Sequence, residues 1–189
     1  MARQVADNCL VILDRDGVIN RDSSAFVKSA DEWLPLDGSI AAIATLHRAG
    51  FTVAVASNQS GLARRLFDRN ALLSMHRKMR RLVERAGGRV DRIAVCPHGP
   101  DEGCDCRKPQ PGLLRKLARY YGVGLKGVPA IGDSERDLVA ARTVGARPIL
   151  VRTGNGRQTE AGLTGPLRSV EVFDDLAAAA AALIAEQGR

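Results

Sequence analysis

Two carboxylates two residues apart, Asp14 and Asp16 in the run DRDGVIN, stand directly after the apolar segment CLVIL at 9–13. Such a pair can share one site. The first can attack phosphorus, making an aspartyl phosphate, while the second protonates the leaving oxygen and later deprotonates water. Gly17 lets the chain turn away tightly behind them. Taken alone, the pair reads more readily as a solvated turn, so its weight depends on the residues at the ends of the other apolar runs. SNQSG at 57–61 comes after FTVAVA, and its hydroxyls and amides (Ser57, Asn58, Gln59, Ser60) can donate to phosphate oxygens. GDSERD comes after VPAIG and supplies Asp133, with Asp137 four residues on and expected to steady the loop by hydrogen bonding. Magnesium prefers oxygen ligands and keeps water and phosphate in its shell, which suits Asp14, Asp133 and the backbone carbonyl of Asp16. RKP at 107–109 precedes a predicted helix, where Lys108 can offset the charge of a phosphate packed among carboxylates.

A second constellation lies in CPHGPDEGCDC at 96–106, where Cys96, His98, Cys104 and Cys106 provide three thiolates and one imidazole. Four such ligands close a tetrahedral Zn2+ site with no open position, so the role is structural; the alternative is a reduced, metal-free loop. Arg107 and Lys108 directly succeed Cys106, so a zinc-fixed loop would aim both cations at substrate. Cys9 falls in a predicted core strand. His47 and His76 sit in predicted helices as surface or partly buried positions. Arg64, Arg65 and the basic stretch 77–85 read as a solvated face, although Arg64 is near enough to the Ser57 loop to approach an anion.

The elements that must carry these residues alternate. Strands are predicted at 9–13, 51–56, 92–96, 128–132 and 148–151, and helices at 38–49, about 68–86, about 111–121, 135–144 and 176–185. This βαβ rhythm implies an α/β fold with a parallel, Rossmann-like sheet flanked by helices. Ligands bind beyond the carboxyl ends of such strands, where Asp14, Ser57, Cys96 and Asp133 stand. The long irregular stretches are 14–35 and 96–110, the latter being the zinc loop. No repeat or linker divides the chain, so 1–189 reads as a single domain.

Composition narrows the function. A net charge of +7 attracts anions, but aromatics make up only 4% of the chain, leaving few platforms for bases, and clustered carboxylates would repel a phosphate backbone; no nucleic-acid partner is expected. The start MARQVADNC lacks a basic segment followed by an apolar one, and the longest apolar run, 176–185, is about half a membrane span. A cytoplasmic protein without membrane association is expected, and there crowded cysteines favour metal over disulfides.

In this order and spacing DRDG, SN, RKP and GDSERD resemble the four signatures of the haloacid-dehalogenase-like phosphatases, over residues 10 to 137. The resemblance implies Asp14 as nucleophile, Asp16 as general acid/base, Ser57 and Lys108 as phosphate ligands, and Asp133 as a ligand of Mg2+. A zinc loop immediately before RKP is similar to a narrower branch without a large cap domain, the D,D-heptose 1,7-bisphosphate and histidinol-phosphate phosphatases. SAFVKSADEWLPLDGSIAAIATL together with SNQSGLAR resembles the heptose enzymes more closely, over nearly the whole chain. This implies a phosphatase acting on a small-molecule sugar phosphate, removing the 7-phosphate of a heptose 1,7-bisphosphate in the synthesis of nucleotide-activated heptose for lipopolysaccharide; a monomer is expected. Arg107 is a fork-shaped donor suited to the second phosphate, and Asp22 can accept from sugar hydroxyls. The five-residue gap between His98 and Cys104 also occurs in the histidinol branch, making histidinol phosphate the alternative substrate. A phosphoaccepting receiver-like module is the non-enzyme alternative, but its nucleophile sits on a later strand.

Overall fold

The computed structural model describes residues 9–188; most of the N-terminal stretch that bears on an export signal lies outside them. The first strand, β1 (Leu10–Leu13), is wholly buried, as expected for a strand covered on both faces. Successive side chains point to opposite sides, so Val11 and Leu13 enter one apolar cluster and Leu10 and Ile12 another. Helices α1 (Ser39–Arg48), α2 (Arg69–Arg85) and α6 (Leu176–Gln187) close the first side; α3 (Gly112–Tyr121) and α4 (Glu135–Thr143) close the second. Each fully buried leucine contributes roughly 1.5–3 kcal/mol over an exposed one.

Strands β2 (Thr52–Asn58), β3 (Arg92–Cys96), β4 (Pro129–Gly132), β5 (Arg147–Val151) and β6 (Glu171–Phe173) complete a six-stranded sheet in the order β3-β2-β1-β4-β5-β6. All its pairings are parallel. The strand order reverses direction at β1, between β2 and β4, which opens a crevice at their carboxyl ends. Asp14 enters that crevice with its N–H donating to Ile131 O at 2.8 Å.

Local chemistry sets the helix ends. Asp68 accepts from the Ala71 N–H at 2.8 Å and starts α2, whose Leu72, Met75, Met79 and Val83 face the core. Ser134 and Asp137 form a reciprocal capping box on α4. Gly122, at φ 69, ends α3.

Three features differ from the sequence-based expectation. β6 and α5 (Gly156–Gly162) are additional elements, because three residues beginning with Glu171 and a seven-residue Gly-flanked segment carry no readable period. β2 extends beyond its apolar run, so Ser57 and Asn58 are strand residues. His76 faces inward and is buried. Among the described residues no helix is long and apolar enough to cross a membrane.

Candidate active site

Lys108 is the hub of the crevice. Its Nζ lies 2.8 Å from Asp14 Oδ1, 2.6 Å from Asp137 Oδ1 and 2.7 Å from Ala56 O, all within the buried interior. Burial opposes a charge there, but the two carboxylates outweigh it and hold the lysine above its ordinary pKa. The lysine's backbone is clamped by Asn58, which accepts from its N–H at 3.1 Å and donates to its carbonyl at 3.0 Å. The Asn58 carboxamide expected to meet phosphate thus also positions Lys108, with its second N–H uncommitted, and Asn58 lines the cleft. Asp137 steadies the loop as expected, through the capping box, and also pairs with Lys108, a contact that its place in the sequence does not foretell.

Asp16 sits in a different environment from Asp14. Its Oδ1 accepts from Arg15 Nη2 at 2.8 Å and Asn20 Nδ2 at 2.9 Å; its Oδ2 accepts from Arg15 Nη2 at 2.9 Å and Gln59 Nε2 at 2.8 Å. Burial favours the neutral acid, but the Arg15 charge and these donors win and hold Asp16 below the usual carboxylate range. Gln59 also donates to Ser57 Oγ at 2.8 Å, which leaves the Ser57 proton free for another acceptor. Asp14 behaves oppositely: burial, opposed by Lys108 and reinforced by Asp137, Asp133 and Asp16, pushes it up to about 7.

Asp133 directly succeeds β4. Its Oδ2 accepts from the Asn155 N–H at 2.8 Å and from Asn155 Nδ2 at 3.0 Å, while Oδ1 is buried with no hydrogen-bond partner. Burial, reinforced by Asp137 and opposed by Asn155, pushes Asp133 up to about 6. Carboxylate oxygens of Asp14, Asp133 and Asp137 lie within 4.8 Å of one another. An orphaned carboxylate oxygen in an all-oxygen set short of positive charge is what a hard divalent cation would complete. Gly17 is required here: it adopts φ 80, and a Cβ on it would collide with Asp133 Oδ2.

The cysteine loop closes on itself. Cys96 Sγ is 3.6 Å from His98 Nδ1, 3.7 Å from Cys104 Sγ and 3.1 Å from Cys106 Sγ, and Cys106 Sγ is 3.3 Å from His98 Nδ1 and 3.6 Å from Cys104 Sγ. All four cysteines, Cys9 included, are free of disulfides. Arg107 leaves this loop with Nη1 3.3 Å from His98 O.

A cleft of about 260 Å³ opens over the site, lined by Asp14, Asp16, Asp22, Ser60, Arg107 and Lys108 among others. Ser57 and Asp133 are fully buried. Asp22 is tied to Asn155 Nδ2 at 3.1 Å. Sequence reasoning misses Arg15, Asn20 and Asn155. A cation lodged between two aspartates is a signal for Arg15; Asn155 reaches Asp133 only through tertiary folding.

Known proteins resemble this chain in sequence and in fold. Residues 9–130 match the polynucleotide kinase 3 phosphatase family and residues 105–179 the HAD-hydrolase-like family. The D-glycero-β-D-manno-heptose-1,7-bisphosphate 7-phosphatase of Pseudomonas putida is 56% identical over 93% of this chain and 99% of its own length. That of Bordetella bronchiseptica is 58% identical over 94% and 98%. The crystal structure of the B. bronchiseptica D,D-heptose 1,7-bisphosphate phosphatase, complexed with magnesium and phosphate, superposes with a TM-score of 0.90 over 94% of this chain and 98% of that one. The Burkholderia thailandensis enzyme, 41% identical, covers 93% of this chain and 97% of its own with a TM-score of 0.72.

Proposed function

The chain belongs to the haloacid-dehalogenase-like D-glycero-β-D-manno-heptose-1,7-bisphosphate 7-phosphatases, and from that membership we propose that it removes the 7-phosphate of this bisphosphate through an aspartyl phosphate on Asp14. The observation that carries the reading is the convergence of Asp14, Lys108 and Asp133, with its unpartnered Oδ1, at the switch point of the sheet.

Asp14 attacks phosphorus as the bond to the C7 oxygen breaks. Lys108 Nζ offsets charge on the phosphoryl oxygens, and the Ser57 hydroxyl donates to one of them. Asp16 delivers a proton to the departing oxygen, then takes one from the water that attacks the phosphorus of the aspartyl phosphate, releasing phosphate and regenerating Asp14. The incoming phosphate dianion, set beside Arg15 and Asp16, raises the proton affinity of Asp16 and so opposes the hold of the arginine. Asp14 and Asp133, with the Asp16 carbonyl, would hold magnesium, which supplies positive charge to the phosphate and orients it for in-line attack. Gln59 and Ser60 shape the phosphate pocket, Arg107 binds the second phosphate, and Asp22 accepts from sugar hydroxyls.

Cys96, His98, Cys104 and Cys106 would hold a structural zinc. Support comes from their spacing: ligands about 2.0–2.3 Å from one tetrahedral ion lie roughly 3.3–3.8 Å apart, against 3.1–3.7 Å here. Reduced thiols suit a cytoplasmic location, where the product would feed nucleotide-activated heptose and lipopolysaccharide synthesis.

Phosphate release from both anomers of heptose 1,7-bisphosphate and from histidinol phosphate tests the assignment. A heptose bisphosphate should give the highest kcat/KM; a higher value for histidinol phosphate would overturn the substrate while leaving the phosphatase chemistry standing.

A further inference from the structure

The cations around the cleft are not equally committed. Lys108 is paired with Asp14 and Asp137, and Arg15 with Asp16, whereas Arg64, Arg107 and Arg136 also line the cleft and form no ion pair among the described residues. Of these, Arg107 is hydrogen-bonded to the His98 carbonyl, and Arg64 is set against an aromatic ring. Its guanidinium carbon lies 5.6 Å from the centre of the Phe26 ring, and Phe26 also lines the cleft.

Phe26 has φ 64, an uncommon conformation for a bulky residue, which persists only when its surroundings impose it. Here they do. The Ser23 N–H donates to Asp22 Oδ1 at 2.8 Å, the Ala25 N–H to Ser23 Oγ at 3.1 Å and the Phe26 N–H to Ser23 O at 3.0 Å, while Val27 is anchored in the core. The turn carrying Arg64 is equally determined. The Arg64 N–H donates to Ser60 O at 3.0 Å and the Leu66 N–H to Gly61 O at 2.9 Å, with Arg65 at φ 55.

We infer that Arg64, laid across Phe26, is a specificity-determining residue that binds the phosphate of the substrate that is not attacked. This rests on the bisphosphate reading above. A guanidinium lying over an aromatic ring keeps its in-plane N–H groups available, and those are the groups that meet a phosphate in a fork. Arg64 comes from the loop after β2 and Arg107 from the cysteine loop after β3, so the distal phosphate is gripped from two separate loops. Arg64 is exposed, and its contact with the ring favours the binding position in advance and so lowers the cost of ordering it.

The test compares wild type with Arg64→Met, Arg64→Lys and Phe26→Leu on heptose 1,7-bisphosphate and heptose 7-phosphate, with thermal melts to confirm that each variant folds. In the wild type KM should be lower for the bisphosphate than for the monophosphate. Arg64→Met should shrink that preference by about ten- to hundredfold, the value of one charge-assisted contact. Arg64→Lys, charged but without the planar fork, should fall between Met and wild type, and Phe26→Leu should shrink the preference severalfold with the arginine still present. A preference within about twofold of wild type in Arg64→Met would overturn the inference. A wild type that fails to prefer the bisphosphate would overturn the parent reading instead, before any variant is considered.

Discussion

Arg15 turns its buried guanidinium onto the carboxylate of the adjacent Asp16, with Nη2 2.8 Å from one oxygen and 2.9 Å from the other. The aspartate proposed as the proton donor is thus oriented by the residue before it. A general acid matters most when the leaving oxygen is strongly basic. Arg15→Lys, which cannot fork, should therefore lower kcat on an alkyl phosphate by about 10- to 100-fold and on an aryl phosphate by only a fewfold. Steady-state kinetics on the two substrates measures this. Equal losses on both would mean that Arg15 does not act through the proton donor.

Replacement of Asp14 by Asn should leave the fold intact and abolish turnover, because an amide is a poor nucleophile and a poor magnesium ligand. Asp16→Asn should cost roughly 10²- to 10⁴-fold in kcat. Acid-quench trapping of labelled phosphoprotein provides a second readout: it should find label in wild type and none in the Asp14 variant. Near-normal phosphate release by Asp14→Asn would sink the mechanism.

Magnesium binding should depend steeply on pH. Burial holds Asp14 up to about 7 and Asp133 up to about 6 in the metal-free protein. A carboxyl whose folded pKa exceeds its unfolded value favours the folded state while protonated. That stability is present below about pH 4 and is lost as pH rises through 6 to 7. Magnesium requires the ionised carboxylates, so its affinity should rise about tenfold or more between pH 5.5 and 7.5, with protons released on binding. Calorimetry in buffers of different ionisation enthalpy checks both, and a pH-independent affinity with no proton release would refute the account.

Zinc analysis of protein purified without chelator should find about one ion per chain, distinct from exchangeable magnesium. Its removal should speed hydrogen exchange across 96–110 and raise KM for the bisphosphate through Arg107, with a smaller change in kcat. Full activity in protein containing no zinc would rule this role out.

Much of the architecture is legible because it is written in local periods. The unbroken apolar run LVIL in β1 and the helical spacing of Leu72, Met75, Met79 and Val83 report burial directly. Asp14, Asp133 and the cysteine loop are legible for a related reason: each stands at the end of an apolar run, and the ends of parallel strands must meet at one edge of the sheet. The short β6 and α5 are not, since neither is long enough to show a period.

By itself, then, the chain order determined which residue types stand at the strand ends, and hence the chemistry available there. Only the tertiary structure decided how each is used. Asn58 meets the backbone of Lys108 fifty residues away, Asn155 reaches Asp133, and Arg64 finds the ring of Phe26. Hydrogen bonds and ring contacts act over a few ångströms and depend on direction, so which partners meet is set by packing in three dimensions, while burial patterns repeat along the chain and can be read from it.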